Sequence, residues 1–288
     1  MTRPVAVITG AGGGLGLACA KRFAPTHALV LAEYSAERLE RAEDELRATC
    51  PELTTVLCDV SDAAAVAELA EASERQGRLG VLVHTAGLSR SMADGRRIVE
   101  VNLLGSALVI EAFLALAGQG SVAVCISSIG AHRRAVHELD ELLLDPLEPG
   151  FLDRLEERLG ITERTGLAYD LSKRGVILLC ERAAGAWGAR GARIVSLSPG
   201  PIDTPMGHLE GTRDAKGLEE TAALGRVAGA EEIASAAAML CSEDASYVTG
   251  CDLRVDGGIV PALDHNSSPA VADAWNALRT ETVVIHSE

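Results

Sequence analysis

Short apolar runs alternate with longer amphipathic stretches along this chain, and the alternation predicts a fold before any motif is read. Residues 5–8, 28–32, 54–58, 81–83, 121–126 and 193–198 are short and mostly apolar or β-branched, as buried strands are. Between them, residues 15–23, 36–48, 62–75 and 96–117 space apolar side chains three and four apart, the period of a helix with one buried face. Ser61 reads as the cap of the third helix, with Asp62 in its first turn. Apolar strands alternating with helices predict a doubly wound α/β architecture, a parallel sheet with helices on both faces. In such a sheet the carboxyl ends of the strands border the ligand crevice. Here they run into Gly10, Glu33, Asp59, His84, Ser127-Ser128 and Pro199-Gly200, which are therefore the first candidates for binding and chemistry.

The first strand leads into Thr9-Gly10-Ala11-Gly12-Gly13-Gly14-Leu15-Gly16 and then a helix. Glycines let such a loop turn tightly and bring backbone N–H groups to a pyrophosphate, which the helix N-terminus stabilises with its partial positive charge. A plain turn is the alternative, and the position after a first strand favours the cofactor. Glu33 stands 33 − 10 = 23 positions beyond the first loop glycine. A carboxylate there can accept both adenosine ribose hydroxyls and would meet a 2′-phosphate as a like charge, which predicts NAD over NADP. Asp59, followed by Val60, is placed to hold the adenine amino group, and Ala86-Gly87 lets the chain pass beneath the cofactor. His84 reads as a histidine hydrogen-bonded at a strand end and not as a catalyst.

A second constellation is Tyr169-Asp170-Leu171-Ser172-Lys173. Residues i and i+4 lie one above the other on a helix, so Tyr169 and Lys173 would present a phenol and an ammonium together. A free phenol has a pKa near ~10, and a neighbouring cation favours the phenolate. A shift of ~3 units is worth ~4 kcal/mol, enough to bring the tyrosine towards working pH. On its own the spacing is commonly a solvated surface pair. The other motifs change that reading.

Charge and composition narrow the function. The net charge of −15 and a pI near 4.9 make nucleic acid and anionic membrane surfaces poor partners. The seven cysteines are scattered without Cys-x-x-Cys spacing, mostly within apolar runs, and predict reduced, buried thiols. No apolar run approaches the ~18 residues of a membrane span, and residue 5 already enters a strand, with no apolar stretch of a signal peptide before it. A cytoplasmic protein is expected. No His, Cys and carboxylate cluster has ligand spacing, so no metal is expected, and Ser128 lacks the surroundings of a nucleophilic serine.

Taken together, Thr9-Gly10-x-x-x-Gly14-Leu15-Gly16, Asp59, Ala86-Gly87, Asn102, Ser128, Tyr169-x-x-Ser172-Lys173, Pro199-Gly200-Pro201-Ile202-Asp203-Thr204 and Asp256-Gly257-Gly258 resemble the short-chain dehydrogenase/reductase family. The resemblance runs from residue 4 to about 260 and implies a single Rossmann-type domain over residues 1–262. It implies Tyr169 as general acid/base, Ser128 on the substrate oxygen, and Lys173 on the nicotinamide ribose. Asn102 would hold a water in the proton relay. Thr204, with the backbone at Ile202 and the Pro199-Gly200 turn, would fix the nicotinamide carboxamide. A small-molecule alcohol or ketone substrate and a homodimer or homotetramer follow from the same likeness. A cofactor-binding protein without turnover and an NAD-using epimerase or dehydratase stay open as alternatives.

Three departures stand out. His84-Thr85 replaces the family's paired asparagines, leaving the bracing of the central strand in question. The stretch from Gly87 to Asn102 is short, and 169 − 128 = 41 positions separate Ser128 from Tyr169. This short-then-long pattern, together with Leu167-Ala168-Tyr169, Ala184-x-Ala186-Trp187 and Ser246-Tyr247-Val248-x-Gly250, looks like the bacterial 3α-hydroxysteroid dehydrogenase/carbonyl reductase branch. Within the insertion, about 132–164, Leu139, Leu142 and Leu143, then Leu152, Leu155 and Leu159, keep helical spacing around Pro146 and Pro149. They predict two short amphipathic helices at the mouth of the active site, which either pad the surface or, as two apolar stripes in need of burial favour, wall the pocket and occupy the face where the family usually builds a four-helix contact. Residues 263–288 form a C-terminal extension, either a tail or a cover for a neighbouring subunit.

Overall fold

The computed structural model describes residues 3–133, 137, 139–209 and 221–265. Six strands form where the apolar runs lie: β1 (Val5–Thr9), β2 (Ala28–Glu33), β3 (Leu53–Leu57), β4 (Leu79–His84), β5 (Val122–Ile126) and β6 (Arg193–Pro199). A two-stranded pair, β7 (Ile202–Asp203) and β8 (Ala228–Gly229), lies apart, and β9 (Asp252–Val255) completes the main sheet. Its order is β3-β2-β1-β4-β5-β6-β9, and every neighbouring pair is parallel. β9 escapes a search for apolar runs because Asp252 and Arg254 are two of its four residues.

The helices cover both faces, as expected. α1 (Gly14–Phe23), α2 (Ala36–Arg47) and α3 (Ala63–Gln76) follow the first three strands. Asp62, not Ser61, caps α3: its side chain accepts from Ala64 N at 2.8 Å, while Ser61 turns back to Asp59. The helix expected over 96–117 is α4 (Gly95–Val99), a π turn (Glu100–Leu104) and α5 (Gly105–Leu114). α6 (Phe151–Leu159), α7 (Thr165–Gly188), α8 (Pro205–Leu209), α9 (Ala230–Cys241) and α10 (Ile259–His265) follow.

Strand alternation divides the core between the two faces. Val5 and Val7 of β1 pack with Leu69 of α3, Phe113 of α5 and Trp187 of α7, while Ala6 and Ile8 join Phe23 of α1, Leu46 of α2 and Ala234 of α9. Burying each large side chain stabilises the fold by ~1.5–3 kcal/mol, and truncating one such as Phe113 costs ~3–5 kcal/mol. The two layers hold the strand ends rigidly at one edge of the molecule.

The insertion packs on the outer face of α7. Leu139 and Leu143 are buried, with a 3-10 turn over Asp140–Leu143 where an amphipathic helix was expected among the described residues. Pro146 and Pro149 follow closely and cannot donate to a continued helix. The second expected helix is present as α6, with Phe151, Leu155 and Leu159 buried. Asp140 pairs with Arg174 and Asp145 with Arg182, both arginines on α7, and Asp153 pairs with Arg96 on α4 at 2.7 Å. Residues 134–136, 138, 210–220 and 266–288 lie outside the described residues, and with them most of the C-terminal extension.

Candidate active site

The glycine loop wraps the end of β1 as tightly as backbone permits. Gly10 has φ +65°, and a Cβ on Gly16 would fall 2.1 Å from the Gly10 carbonyl oxygen. Gly14 opens α1 against Thr204, whose Cγ2 lies 2.8 Å from where a Gly14 Cβ would stand. Leu15 turns into the core beneath them. The loop thus leaves backbone N–H groups and a helix N-terminus facing the crevice, the surroundings a pyrophosphate requires. At the far end Gly200 donates to Val255 O at 3.0 Å, just after Pro199 closes β6, and Ile202 of β7 pairs with Ala228.

Glu33 is only 4% exposed. Its Oε2 accepts from Gly12 N at 3.1 Å, and its Oε1 from Tyr34 N at 3.1 Å, Ser35 N at 3.3 Å and Arg38 at 2.6 Å. These contacts make Glu33 a buried, compensated carboxylate and not a solvated one. Arg38 was not singled out in the sequence, because nothing local marks a helix-surface arginine as the partner of a strand end. Asp59 Oδ1 accepts from Ser61 N and Oγ, and its Oδ2 accepts from Arg97 at 2.7 Å. Burial resists its ionisation, but the Ser61 donors and Arg97 together hold the carboxyl below its usual range. Val60 is buried beside it, closely approached by Gly105.

His84 bridges Thr9 Oγ1 at 2.7 Å and Ser106 Oγ at 3.0 Å. Burial first, then the charge of Lys173, pushes its pKa down to about 3, so the ring is neutral at ordinary pH. Thr85 Oγ1 donates to Thr9 O at 2.6 Å. His84 and Thr85 therefore brace β4 to β1 in place of the paired asparagines. Ala86 N donates to Thr9 Oγ1 at 3.3 Å and continues that bracing.

The catalytic candidates meet beyond β4 and β5. The π turn adds a residue to its helical turn and coincides with the inward rotation of Asn102, which is fully buried. Its amide accepts from Leu88 N at 2.7 Å and donates to Leu88 O at 3.0 Å and to Ser172 Oγ at 3.2 Å. Ser172 donates onward to Tyr169 O at 2.7 Å. Lys173, 6% exposed, donates from Nζ to Ile126 O at 3.0 Å, and burial lowers its pKa to about 8. Nζ stands 5.9 Å from the Tyr169 ring centroid. A Cβ on Gly87 would lie 3.1 Å from Asn102 Oδ1 and 3.3 Å from Lys173 Nζ, which places Gly87 beside both. Ser128 caps the 3-10 turn Ile129–His132, accepting from Gly130 N at 3.2 Å, and that turn packs on Tyr169. The buried pair Arg133–Asp170, at 2.5 Å, ties the root of the insertion to the residue after Tyr169. That pair was also missed, since its members are 37 positions apart (170 − 133) with no pattern joining them.

Among the described residues no group of three His, Cys, Asp or Glu is placed to hold a metal, and no helix is long and apolar enough to cross a membrane. Five of the seven cysteines are buried, and all are free thiols.

A parallel sheet with a glycine loop after β1 and a Tyr-Lys pair at its carboxyl edge defines a nicotinamide-dependent oxidoreductase. The comparisons agree. A family model described as "short chain dehydrogenase" matches residues 4–138, and one described as "Enoyl-(Acyl carrier protein) reductase" matches 156–260, leaving 139–155, the middle of the insertion, between them. The chain is 32% identical to the short-chain dehydrogenase/reductase bsc3 of Alternaria brassicicola, covering 93% of this chain and 100% of that one. It is 32% identical to a 3beta-hydroxysteroid dehydrogenase 1 of Eggerthella lenta, over 88% and 92%. The solved structure of a levodione reductase superposes with a TM-score of 0.72 at 30% identity, over 90% and 98%. The protein belongs to the short-chain dehydrogenase/reductase family, enzymes that act on CH–OH groups with a nicotinamide cofactor. Hydroxysteroid enzymes, to which the narrower resemblance points, are one kind of relative among several.

Proposed function

We propose that this protein is a cytoplasmic NAD-dependent oxidoreductase, working as a homodimer or homotetramer, that interconverts a secondary alcohol and a ketone with Tyr169 as general acid/base. One observation carries the reading: Lys173 Nζ lies within 5.9 Å of the Tyr169 ring and next to both Gly87 and Asn102, so the phenol, the buried cation and the turn beneath the cofactor site share one point of the crevice. In this reading the Tyr169 phenolate takes the hydroxyl proton in oxidation and returns it in reduction. Ser128 Oγ donates to the substrate oxygen and stabilises the charge that develops there. Lys173 holds the nicotinamide ribose and favours the phenolate, and Asn102 keeps a water in the proton path. A bound nicotinamide supplies the hydride acceptor or donor. Thr204, Ile202 and the Pro199-Gly200 turn orient it, while the glycine loop, Asp59, Val60, Ala86 and Gly87 hold the rest.

NAD is favoured by Glu33. A 2′-phosphate would bring a second negative charge to a buried carboxylate, and the nearby Arg38 is already engaged by that carboxylate. The names of two relatives, a hydroxysteroid dehydrogenase and a levodione reductase, support a hydroxyl/carbonyl pair as the reacting group. Residues 88–90 and 129–133 offer apolar and charged walls for a mainly hydrophobic substrate.

The test is the absorbance of reduced nicotinamide while purified protein is incubated with alcohols and ketones. Net turnover identifies a dehydrogenase, whereas epimerisation or dehydration leaves the cofactor unchanged at the end. Tyr169→Phe should lower turnover by ~10²-fold or more with NAD binding retained. Unchanged activity in that variant removes Tyr169 from the mechanism.

A further inference from the structure

His84 joins the end of β1 to the helix that carries Asn102. Its Nδ1 lies 2.7 Å from Thr9 Oγ1, on the last residue before the glycine loop, and its Nε2 lies 3.0 Å from Ser106 Oγ, in the first turn of α5. The ring is buried and neutral, so one nitrogen carries its single N–H and the other accepts.

The neighbours decide which. Ser106 Oγ also lies 2.5 Å from Asn102 O, and a carbonyl can only accept. The one hydroxyl proton of Ser106 therefore goes to Asn102, and His84 Nε2 must supply the proton it shares with Ser106. Nδ1 is then bare and accepts from Thr9, whose oxygen takes the Ala86 N–H at 3.3 Å. Each proton has an acceptor. In the opposite tautomer the Thr9 hydroxyl has no acceptor among the described residues, and Ser106 Oγ meets Asn102 O with no proton between them. Buried polar groups left in that state are costly.

The direction so fixed makes one continuous chain. Thr9 donates to His84, His84 to Ser106, Ser106 to the Asn102 carbonyl, the Asn102 amide to Ser172, and Ser172 to the Tyr169 carbonyl. Its middle link lies on the π turn, Glu100–Leu104, where Asn102 turns inward. A serine bonded to the carbonyl four residues before it bends a helix, and here His84 orients that serine.

We infer that His84 is a positioning residue for Asn102: as the Nε2–H tautomer it aims the Ser106 hydroxyl at the Asn102 carbonyl and so holds the π turn that presents the Asn102 amide to Ser172. The inference rests on the reading of Asn102 and Tyr169 as members of the reacting site.

Two substitutions separate the ring nitrogens. An asparagine amide reaches only to the place of Nδ1 and a glutamine amide to that of Nε2, so His84→Asn keeps the acceptor for Thr9 and His84→Gln keeps the donor to Ser106. With a secondary alcohol that the wild-type protein oxidises, His84→Asn should lower kcat about tenfold, the worth of one hydrogen bond, and leave the Kd for NAD within about twofold. His84→Gln should rescue at least half of that loss. The tautomer itself is read without turnover, by solid-state NMR of protein carrying isotopically labelled histidine nitrogens. The His84 signals, among those of seven histidines, are the ones missing from either variant. Should neither variant fold, Ser106→Ala assigns them, because it shifts the Nε2 signal of one histidine. A bare Nδ1 and a protonated Nε2 are expected. The opposite tautomer overturns the inference, as does a glutamine variant as slow as the asparagine one, because the donor to Ser106 would then be without effect. Failure of the underlying reading is seen separately, as turnover that survives Asn102→Ala whichever tautomer is found.

Discussion

Glu33 and Lys173 are buried charges at two ends of one crevice, 4% and 6% exposed, and the protein treats them in opposite ways. Glu33 receives three backbone N–H groups and the Arg38 guanidinium, so its charge is compensated by the chain itself. Lys173 donates to one carbonyl, that of Ile126, and burial leaves its ammonium costly. On the proposed reading the adenosine end is therefore built in advance, while the reacting end holds a charge in search of a partner. A phenolate at Tyr169 is such a partner, and ribose hydroxyls would be another. Storing an under-compensated cation beside the phenol favours the ionised phenol, which is the form that accepts a proton.

Lys173→Met gives the largest effect expected on this contrast. Turnover should fall ~10²-fold or more, with weaker NAD binding as well, because one side chain serves ribose and phenol together. Stability should move the other way. The folded pKa of about 8 lies below the ~10.4 of an unfolded lysine, so at pH 7 the unfolded chain holds this proton more tightly. The penalty, ~3 kcal/mol below pH ~8, is relieved as pH rises from about 8 to ~10.4. The variant loses that penalty and orphans the Ile126 carbonyl at ~1 kcal/mol, for a net gain of ~2 kcal/mol at neutral pH that gives way to a net loss of ~1 kcal/mol above pH ~10. Urea unfolding at a series of pH values measures it. A variant destabilised equally at every pH would mean that the ammonium is compensated after all.

The two ends also differ in how far they could be read from the residues alone. The glycine loop, Glu33 at the end of β2, and the Tyr169–Lys173 spacing are local patterns dictated by backbone geometry, and they stand where the strand periodicity puts them. The partners of these groups come from distant positions. Arg38 on Glu33 and Arg133 on Asp170 carry no spacing signal, because a surface-looking arginine acquires its partner only when the layers close. Asn102 shows the same limit, since a continuous helical pattern over 96–117 hides the π turn that directs its amide inward. Two charges in β9 and the Asp62 cap, one residue past Ser61, fall in the same class of choices settled by tertiary contact.

Glu33→Ala tests the compensated end. Arg38 and three N–H groups lose their acceptor, a cost of ~1–3 kcal/mol in unfolding free energy. The released Arg38 then stands where a 2′-phosphate would lie, so NAD should bind more weakly and NADP more tightly, narrowing the gap from both sides. Titration of each cofactor decides the matter. Wild-type protein that binds NADP as tightly as NAD would refute the assigned preference before any variant is made.

The smallest effect on cofactor binding is expected from the insertion, whose described residues hydrogen-bond neither to the glycine loop nor to Glu33. Its charged links divide by exposure. Arg182–Asp145 and Arg96–Asp153 are largely solvated and worth ~0–1 kcal/mol each, whereas Arg174–Asp140 is sheltered and Arg133–Asp170 fully buried. The insertion is thus anchored most firmly at its root, beside Tyr169, and by Leu139, Leu143 and Leu155 against the core. Replacing residues 139–159 by a short glycine-serine linker keeps Arg133–Asp170 but uncovers the α7 face against which Leu139, Leu143 and Leu155 are buried. We expect substrate range to broaden or shift while NAD affinity stays within about twofold, less than 0.5 kcal/mol. The bared apolar face should also promote association through α7, seen as a larger species in sedimentation. Unaltered substrate preference and unaltered assembly would reduce the insertion to surface padding, the reading its buried leucines argue against.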